Sequence, residues 1–173
     1  LAEKKITKKT IFVIEASSYQ LDYSKIFRSK YSLILNISAD HIERHKNLKN
    51  YVNAKFKLIE SQVKGNFAYV KKNDSLISKK IKKNKFKPKI YKVDTSNLKN
   101  IIDKISNKYF ASDGNRENLS FIFEIATKLK LSKNRLIQTI NNFKGLEYRQ
   151  QIVFDKKNLT IIKKYIGFPN LGL

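Results

Sequence analysis

The sequence contains no cysteine among its 173 residues. This absence excludes a disulfide framework, a thiolate metal site and a cysteine nucleophile, and it fits a cytoplasmic protein. No apolar run approaches the roughly 18 residues that a membrane-spanning helix needs, and nothing resembles a signal peptide. Only five glycines occur, and Gly-x-x-x-x-Gly-Lys-Ser/Thr is absent. A glycine-rich phosphate-binding loop is therefore excluded within these residues.

Acidic residues are also scarce, because 14 Asp and Glu stand against 37 Lys and Arg, which gives a formal net charge of +23. Such a charge is typical of nucleic-acid-binding proteins. However, 32 of the basic residues are lysine and five are arginine. Base readout and bidentate phosphate binding favour arginine. A lysine-rich nucleic-acid-binding module is therefore kept as the alternative from a different functional class.

A second explanation of the charge is base composition, since lysine, isoleucine and asparagine, whose codons are rich in A and T, make up 71 of the 173 residues. We attribute most lysines to a shift of the base composition towards A and T, and we expect them to lie on a solvated surface. The densest basic segment, residues 79–89, is accordingly interpreted as a solvated loop. No specific nucleic-acid partner and no membrane partner is expected.

Short apolar runs alternate with amphipathic stretches along the chain. A hydrophobic share of 41% is enough for the core of about one domain and excludes a disordered polycation. We expect strands at residues 10–14, 31–37, 67–70 and 90–93, with a strand pair at 152–154 and 159–162. We expect helices at residues 48–59, 74–81, 116–129 and 132–143, the first capped by Asn47 and the second by Asn73 or Asp74. This alternation predicts an α/β fold with a mostly parallel sheet flanked by helices.

Polar side chains follow the first two predicted strands. Glu15 comes directly after residues 10–14, and Asp40 and His41 follow residues 31–37. Ligands of parallel α/β sheets gather beyond the carboxyl ends of the strands. A carboxylate and an imidazole at neighbouring strand ends can hold a divalent cation such as Mg²⁺. The alternative is that Glu15 caps a turn and that His41 is a surface residue of a loop.

Two further residues near these strands carry reactive side chains. Lys55 lies between Ala54 and Phe56 on the predicted helix 48–59. Burial there would lower the pKa of its amine and make the neutral form reactive, whereas the alternative is one more solvated lysine. His45 follows His41 by four residues, but no Glu stands beside His41 as in a zinc protease. We therefore predict that His45 lies on the surface.

Five motifs in order, over residues 10 to about 153, resemble the Mur ligase family, and within it the D-glutamate-adding ligases. They are Glu-Ala-Ser-Ser-Tyr-Gln-Leu at 15–21, Leu-Asn-Ile-Ser-Ala-Asp-His-Ile-Glu-Arg at 35–44, Tyr-x-x-Ala-Lys at 51–55, Asn-x-x-Asn at 115–118 and Phe-Lys-Gly-Leu-Glu-Tyr-Arg at 143–149. The Ser-Ser-Tyr-Gln-Leu stretch is the part that favours the D-glutamate-adding branch over its sister ligases.

The resemblance implies a fold and a reaction. Residues 1–145 would be the later part of the central ATP-binding domain, and residues 146–173 would begin a Rossmann-like C-terminal domain. The enzyme would be an ATP-dependent ligase of peptidoglycan precursor synthesis. It would phosphorylate the carboxylate of UDP-N-acetylmuramoyl-L-alanine, and the amine of D-glutamate would then attack the acyl phosphate. Another Mur ligase, or an amide ligase like folylpolyglutamate synthase, stays open as an alternative.

The resemblance also implies roles for individual residues. By carry-over, Mg²⁺ would be held by Glu15, His41 and a carbamylated Lys55, the nucleotide by Asn118 and Arg149, and the UDP-muramoyl substrate by Ser17 and Gln20. His41 and Lys55 would be the catalytic residues. The chain begins at Leu1, lacks the family's phosphate-binding loop, and departs from the family pattern over residues 163–173. We therefore expect a piece of a longer, monomeric enzyme that is inactive by itself.

Overall fold

A computed structural model describes residues 6–38, 42–96, 98–145, 151–156 and 159–163 of the chain. Its main sheet is parallel, in the order β1 (Tyr31–Ile34), β2 (Phe67–Lys71) and β3 (Lys89–Val93). Its helices are α1 (Ser18–Tyr23), α2 (Ile42–His45), α3 (Leu48–Glu60), α4 (Ser75–Lys83), α5 (Lys99–Ile102), α6 (Asp113–Lys128) and α7 (Lys133–Asn141), with a 3-10 turn at Lys108–Ala111. The predicted α/β fold is confirmed.

A separate antiparallel pair follows α7, formed by β4 (Gln151–Lys156) and β5 (Leu159–Lys163). This is the strand pair that the sequence predicts at residues 152–154 and 159–162. The assignment of residues 146–173 to a second domain stays a prediction. In the part of the chain that the structure describes, no helix is both long and apolar enough to cross a membrane.

Polar side chains at the helix starts explain why several helices begin where they do. Asn47 and Ser132 each accept a hydrogen bond from the backbone N–H three residues later, at the first turns of α3 and α7. Asp74 accepts from two backbone N–H groups in the first turn of α4. These bonds satisfy N–H groups that have no partner inside the helix. The predicted cap of α3 is thus confirmed, and of the two candidates for α4, Asn73 and Asp74, it is Asp74 that caps the helix.

Helices cover both faces of the main sheet. Alternate residues of a strand point to opposite faces. Ala68 and Val70 of β2 therefore pack with α3 and α4, whereas Tyr69 packs with α6. The larger core lies on the α3 side and consists of Ile34, Ile37, Tyr51, Val52, Phe56, Ile59, Ala68, Val70 and Ile77. Another cluster joins α6 and α7 through Leu119 and Ile140.

The predicted strand at residues 10–14 is wrong. These residues form no regular secondary structure, and Val13 is 95% exposed. A strand is stable only when a neighbour completes its hydrogen bonds and its apolar side chains are covered. Among the described residues, β1 pairs only with β2, and no strand lies beside residues 10–14. Their apolar sequence is therefore not enough to make them a strand.

Two other boundaries also differ from the sequence expectation. Helix α4 continues to Lys83, so the basic segment 79–89 is partly helical rather than a loop. The buried side chain of Ile77 packs α4 against the core, while Lys79, Lys82 and Lys83 are exposed. Strand β1 ends at Ile34 instead of residue 37. The backbone N–H of Ile37 donates to Asp74 instead of to a neighbouring strand.

Asp74 therefore joins the start of α4 to the segment after β1. We expect Asp74→Ala to lower the free energy of unfolding by roughly 2 kcal/mol, because a cap and a charge-assisted hydrogen bond are lost together. Urea denaturation of the chain measures this change. Asp103→Ala, at an exposed carboxylate, is the control and should stay within about 0.5 kcal/mol. Equal losses for the two variants would contradict this role of Asp74.

Tyr69 makes the free energy of unfolding depend on pH at alkaline pH. Burial raises the pKa of Tyr69 to about 12, and nearby Tyr91 and Glu124 add to the shift. In the unfolded chain a tyrosine has a pKa of about 10. The folded state thus binds the hydroxyl proton of Tyr69 more tightly than the unfolded state does. The stability that this difference contributes is complete below about pH 10 and is lost as pH rises towards 12.

We expect Tyr69→Phe to remove this component of the alkaline destabilisation. The measurement is the urea midpoint at pH 8 and at pH 11 for the original chain and for the variant. The midpoint should fall less between the two pH values in Tyr69→Phe. Tyr23→Phe, at a 75% exposed tyrosine, is the control and should behave like the original chain. The same fall in Tyr69→Phe and in the original chain would refute the assignment.

Candidate functional site

The segment before α1 is shaped by a reciprocal pair of hydrogen bonds. The backbone N–H of Gln20 donates to Ser17 Oγ at 3.2 Å, and the backbone N–H of Ser17 donates to Gln20 Oε1 at 2.8 Å. This is a capping box, which Ser-x-x-Gln can form because each side chain satisfies the other residue's N–H. The two residues predicted to bind substrate are therefore held in a fixed relation to each other.

A pocket of about 400 Å³ lies between this segment and helix α3. We call it the α1–α3 pocket, and its lining residues are Glu15, Ala16, Ser17, Ser18, Gln20, Tyr51 and Lys55. Tyr51 and Lys55 share one side of α3 because residues four apart lie on the same helix face. The structure thus brings together four residues that the sequence analysis singled out separately: Glu15, Ser17, Gln20 and Lys55.

Lys55 is half-buried at the edge of the apolar stripe of α3. Its neighbour Phe56 is completely buried against the sheet. Lys55 Nζ lies 5.2 Å from the centre of the Tyr51 ring, which is within the range of a cation–π contact. Lys55 is therefore not one more fully solvated lysine, and it lines the same pocket as Glu15.

His45 is buried, so the prediction that it lies on the surface is wrong. Its side chain is 7% exposed, and its Nε2 lies 3.0 Å from Ser18 Oγ. Its ring stacks on Tyr19 with centroids 5.2 Å apart, and it also contacts Tyr51 at 5.5 Å. The usual packing pattern at a helix start does not point to His45, because it pairs Tyr51, the fourth residue of α3, with the residue directly before the Asn47 cap, which is Lys46.

The remaining predicted site residues are not brought into this pocket. Asn118 lies half-buried on α6 and does not line the α1–α3 pocket. His41 and Arg149 fall outside the described residues. A second pocket, of about 170 Å³, lies elsewhere along α1 and α3 beside Lys57 and Glu60, and none of the predicted site residues lines it.

The donor set of the α1–α3 pocket can be compared with what Mg²⁺ requires. Over the ranges that the structure describes, no group of three or more His, Cys, Asp or Glu side chains comes together. Mg²⁺ usually binds one or two carboxylates and completes its shell with water and substrate phosphates. Glu15 supplies one carboxylate. Lys55 fits such a site as an anionic carbamate and does not fit it as an ammonium, which has no lone pair to donate.

Comparison with known proteins adds a second line of evidence. Residues 1–137 match the family described as Mur ligase middle domain. The chain is 30% identical over 160 residues to the UDP-N-acetylmuramoylalanine–D-glutamate ligase of Rickettsia bellii, covering 81% of this chain and 36% of that protein. It is 27% identical over 179 residues to the ligase of the same name from Clostridioides difficile, covering 93% and 39%. The chain thus spans little more than a third of these relatives' length.

Proposed function

Because the chain belongs to the Mur ligase family, we propose that it is part of an ATP-dependent enzyme that joins D-glutamate to UDP-N-acetylmuramoyl-L-alanine. Mur ligases form amide bonds in the synthesis of peptidoglycan precursors, in the cytoplasm. The observation that carries the proposal is the α1–α3 pocket, which brings Glu15 and the Ser17–Gln20 capping box on one wall together with Lys55 on the other.

The proposed reaction has two steps. The muramoyl-alanine carboxylate attacks the γ-phosphorus of ATP, so that an acyl phosphate forms and ADP leaves. The amine of D-glutamate then attacks the acyl carbon. The resulting tetrahedral intermediate expels phosphate, and the amine loses a proton as the amide bond forms. Both reactants of the first step are anions, so the site has to supply positive charge.

Glu15, His41 and Lys55 are proposed to hold Mg²⁺. The ion would neutralise charge on the phosphate oxygens and position the reactants. For this role the neutral amine of Lys55 has to add to CO₂ and release a proton, which gives an anionic carbamate oxygen. The position of Lys55 supports this assignment, because Lys55 lines the same pocket as Glu15.

Ser17 and Gln20 are proposed to bind the UDP-muramoyl substrate at the pocket rim. Their capping box supports this role, because it fixes the backbone of the segment before a ligand arrives. Asn118 and Arg149 are proposed to contact the nucleotide, on the resemblance to the family alone. We further propose that the complete enzyme is a monomer.

The choice of D-glutamate as acceptor rests on two observations. The stretch Ser-Ser-Tyr-Gln-Leu at 17–21 resembles the D-glutamate-adding branch. Relatives from several bacteria, among them Elusimicrobium minutum at 29% identity over 167 residues, carry the name of a D-glutamate ligase. Sister ligases would share Glu15, His41 and Lys55, so these residues do not select the amino acid.

The proposal is tested with the protein encoded by the whole reading frame that contains this sequence. We expect ADP formation that depends on UDP-N-acetylmuramoyl-L-alanine and D-glutamate. Lys55→Arg should lower kcat by roughly 100-fold, because a guanidinium stays protonated and cannot form a carbamate. Lys49→Arg, at an exposed lysine of the same helix, is the matched control and should keep the original rate.

The same variants allow a direct measurement of the carbamate. With ¹³C-bicarbonate, the original protein should give a carbamate carbonyl signal by NMR, and Lys55→Arg should lose it while Lys49→Arg retains it. Turnover with a different amino acid in place of D-glutamate would assign the enzyme to a sister ligase. An unchanged rate in Lys55→Arg would contradict the role of this lysine.

A further inference from the structure

His45 contacts both walls of the α1–α3 pocket. On the α1 wall its Nε2 lies 3.0 Å from Ser18 Oγ, and its ring stacks on Tyr19 at an interplanar angle of 10°. On the α3 wall its ring contacts Tyr51, with centroids 5.5 Å apart. Ser18 and Tyr51 both line the pocket, whereas His45 stands behind them. His45 is therefore a buried bridge between the two walls.

Through Ser18 and Tyr51, His45 is connected to the polar groups on both walls of the pocket. Ser18 follows Ser17 directly, and Ser17 forms the capping box with Gln20. Tyr51 holds the ammonium of Lys55 at 5.2 Å from its ring centre. A displacement of the His45 ring would thus move the start of α1 on one side and the Tyr51 ring on the other.

The position of His45 is itself fixed from outside the two walls. It is the last residue of α2, and Lys46 after it has a φ of 66°, a left-handed conformation that turns the chain sharply. The side chain of Asn50 donates to the His45 carbonyl oxygen at 3.0 Å, and Asn47 caps α3 immediately afterwards. His45 therefore enters the α1–α3 interface from an anchored turn, which allows it to act as a fixed spacer.

We propose that His45 is a positioning residue, which sets the placement of Lys55 and of the Ser17–Gln20 segment on opposite sides of the pocket. The hydrogen bond to Ser18 compensates the cost of burying the imidazole and fixes its orientation. The packing on Tyr51 then keeps that ring beside Lys55. That this positioning matters for the reaction rests on the proposed function. The effect of His45 on the position of Lys55 does not depend on that function.

A purely structural role for His45 is the competing explanation, and a second contact between α1 and α3 provides the control. Lys57 on α3 donates to the Asp22 carboxylate at 2.7 Å and to the Asp22 carbonyl oxygen at 2.8 Å. Neither residue lines the α1–α3 pocket. Lys57→Met therefore weakens the same helix pair without removing a contact to a pocket residue.

The test measures the surroundings of Lys55 by ¹³C NMR after reductive methylation of the lysines with ¹³C-formaldehyde, in the protein encoded by the whole reading frame that contains this sequence. The Lys55 signal is assigned by its loss in Lys55→Arg. His45→Asn removes the ring stacking, His45→Phe keeps the ring but removes the hydrogen bond, and Ser18→Ala removes the partner with the smallest change in volume. Thermal unfolding of each variant records the loss of overall stability.

We expect His45→Asn to shift the Lys55 signal by more than its line width, because the Tyr51 ring moves away from the ammonium. His45→Phe and Ser18→Ala should give smaller shifts in the same direction, and Lys57→Met should leave the signal in place although it also weakens the contact between α1 and α3. If the chemical shift of the Lys55 signal is the same in His45→Asn, Ser18→Ala and Lys57→Met, the proposal is overturned. Ser18→Ala keeps the test decisive if His45→Asn does not fold.

A failure of the positioning role of His45 is distinguishable from a failure of the proposed function. If the original protein forms no carbamate but His45→Asn still shifts the Lys55 signal, the ligase assignment of Lys55 fails and the positioning role of His45 stands. If the carbamate forms and the His45 variants leave both the Lys55 signal and the carbamate yield unchanged, the positioning role is wrong and the proposed function stands.

Discussion

The packing of α3 against the parallel sheet is the constraint on which the rest of the structure depends. Val52, Phe56 and Ile59 lie on its buried stripe, and the last two have no exposed surface. Each such side chain contributes about 1.5–3 kcal/mol when it leaves water, so a rotation of α3 that exposed the stripe would be costly. Tyr51 and Lys55 are consequently directed to the side of α3 where α1 lies, and the pocket forms there.

Helix α1 has six residues and depends on α3 for its place. One contact is the ion pair of Asp22 with Lys57, whose hydrogen bond lowers the pKa of Asp22. Both side chains are nearly half exposed, and exposed pairs contribute about 0–1 kcal/mol. A second contact of α1, to the end of α2, is the buried hydrogen bond between His45 and Ser18. Burial makes this second contact the more costly one to break, because an unpaired polar group would be left without water.

The sequence predicts those parts of the fold and site that depend on neighbouring residues. The caps at Asn47 and Asp74 follow from hydrogen bonds within one helical turn, and the strands of the main sheet follow from short apolar runs. Residues 10–14 form an equally apolar run, but strand formation requires a partner elsewhere in the chain. The burial of His45 also escapes prediction, because it depends on contacts with Tyr19 and Tyr51 that only the folded chain creates.

The proposed cation site is the α1–α3 pocket, with Glu15 and a carbamylated Lys55 among its ligands. Its most direct test is paramagnetic broadening by Mn²⁺, a substitute for Mg²⁺, in the ¹⁵N-labelled protein with bicarbonate present, from which Lys55 can form the carbamate. We expect the amide signals of residues 15–20 and of Lys55 to broaden while those of residues 79–83 stay sharp, and we expect Glu15→Gln to remove the effect. Sharp signals at residues 15–20 and 55, or broadening that persists in Glu15→Gln, would contradict it.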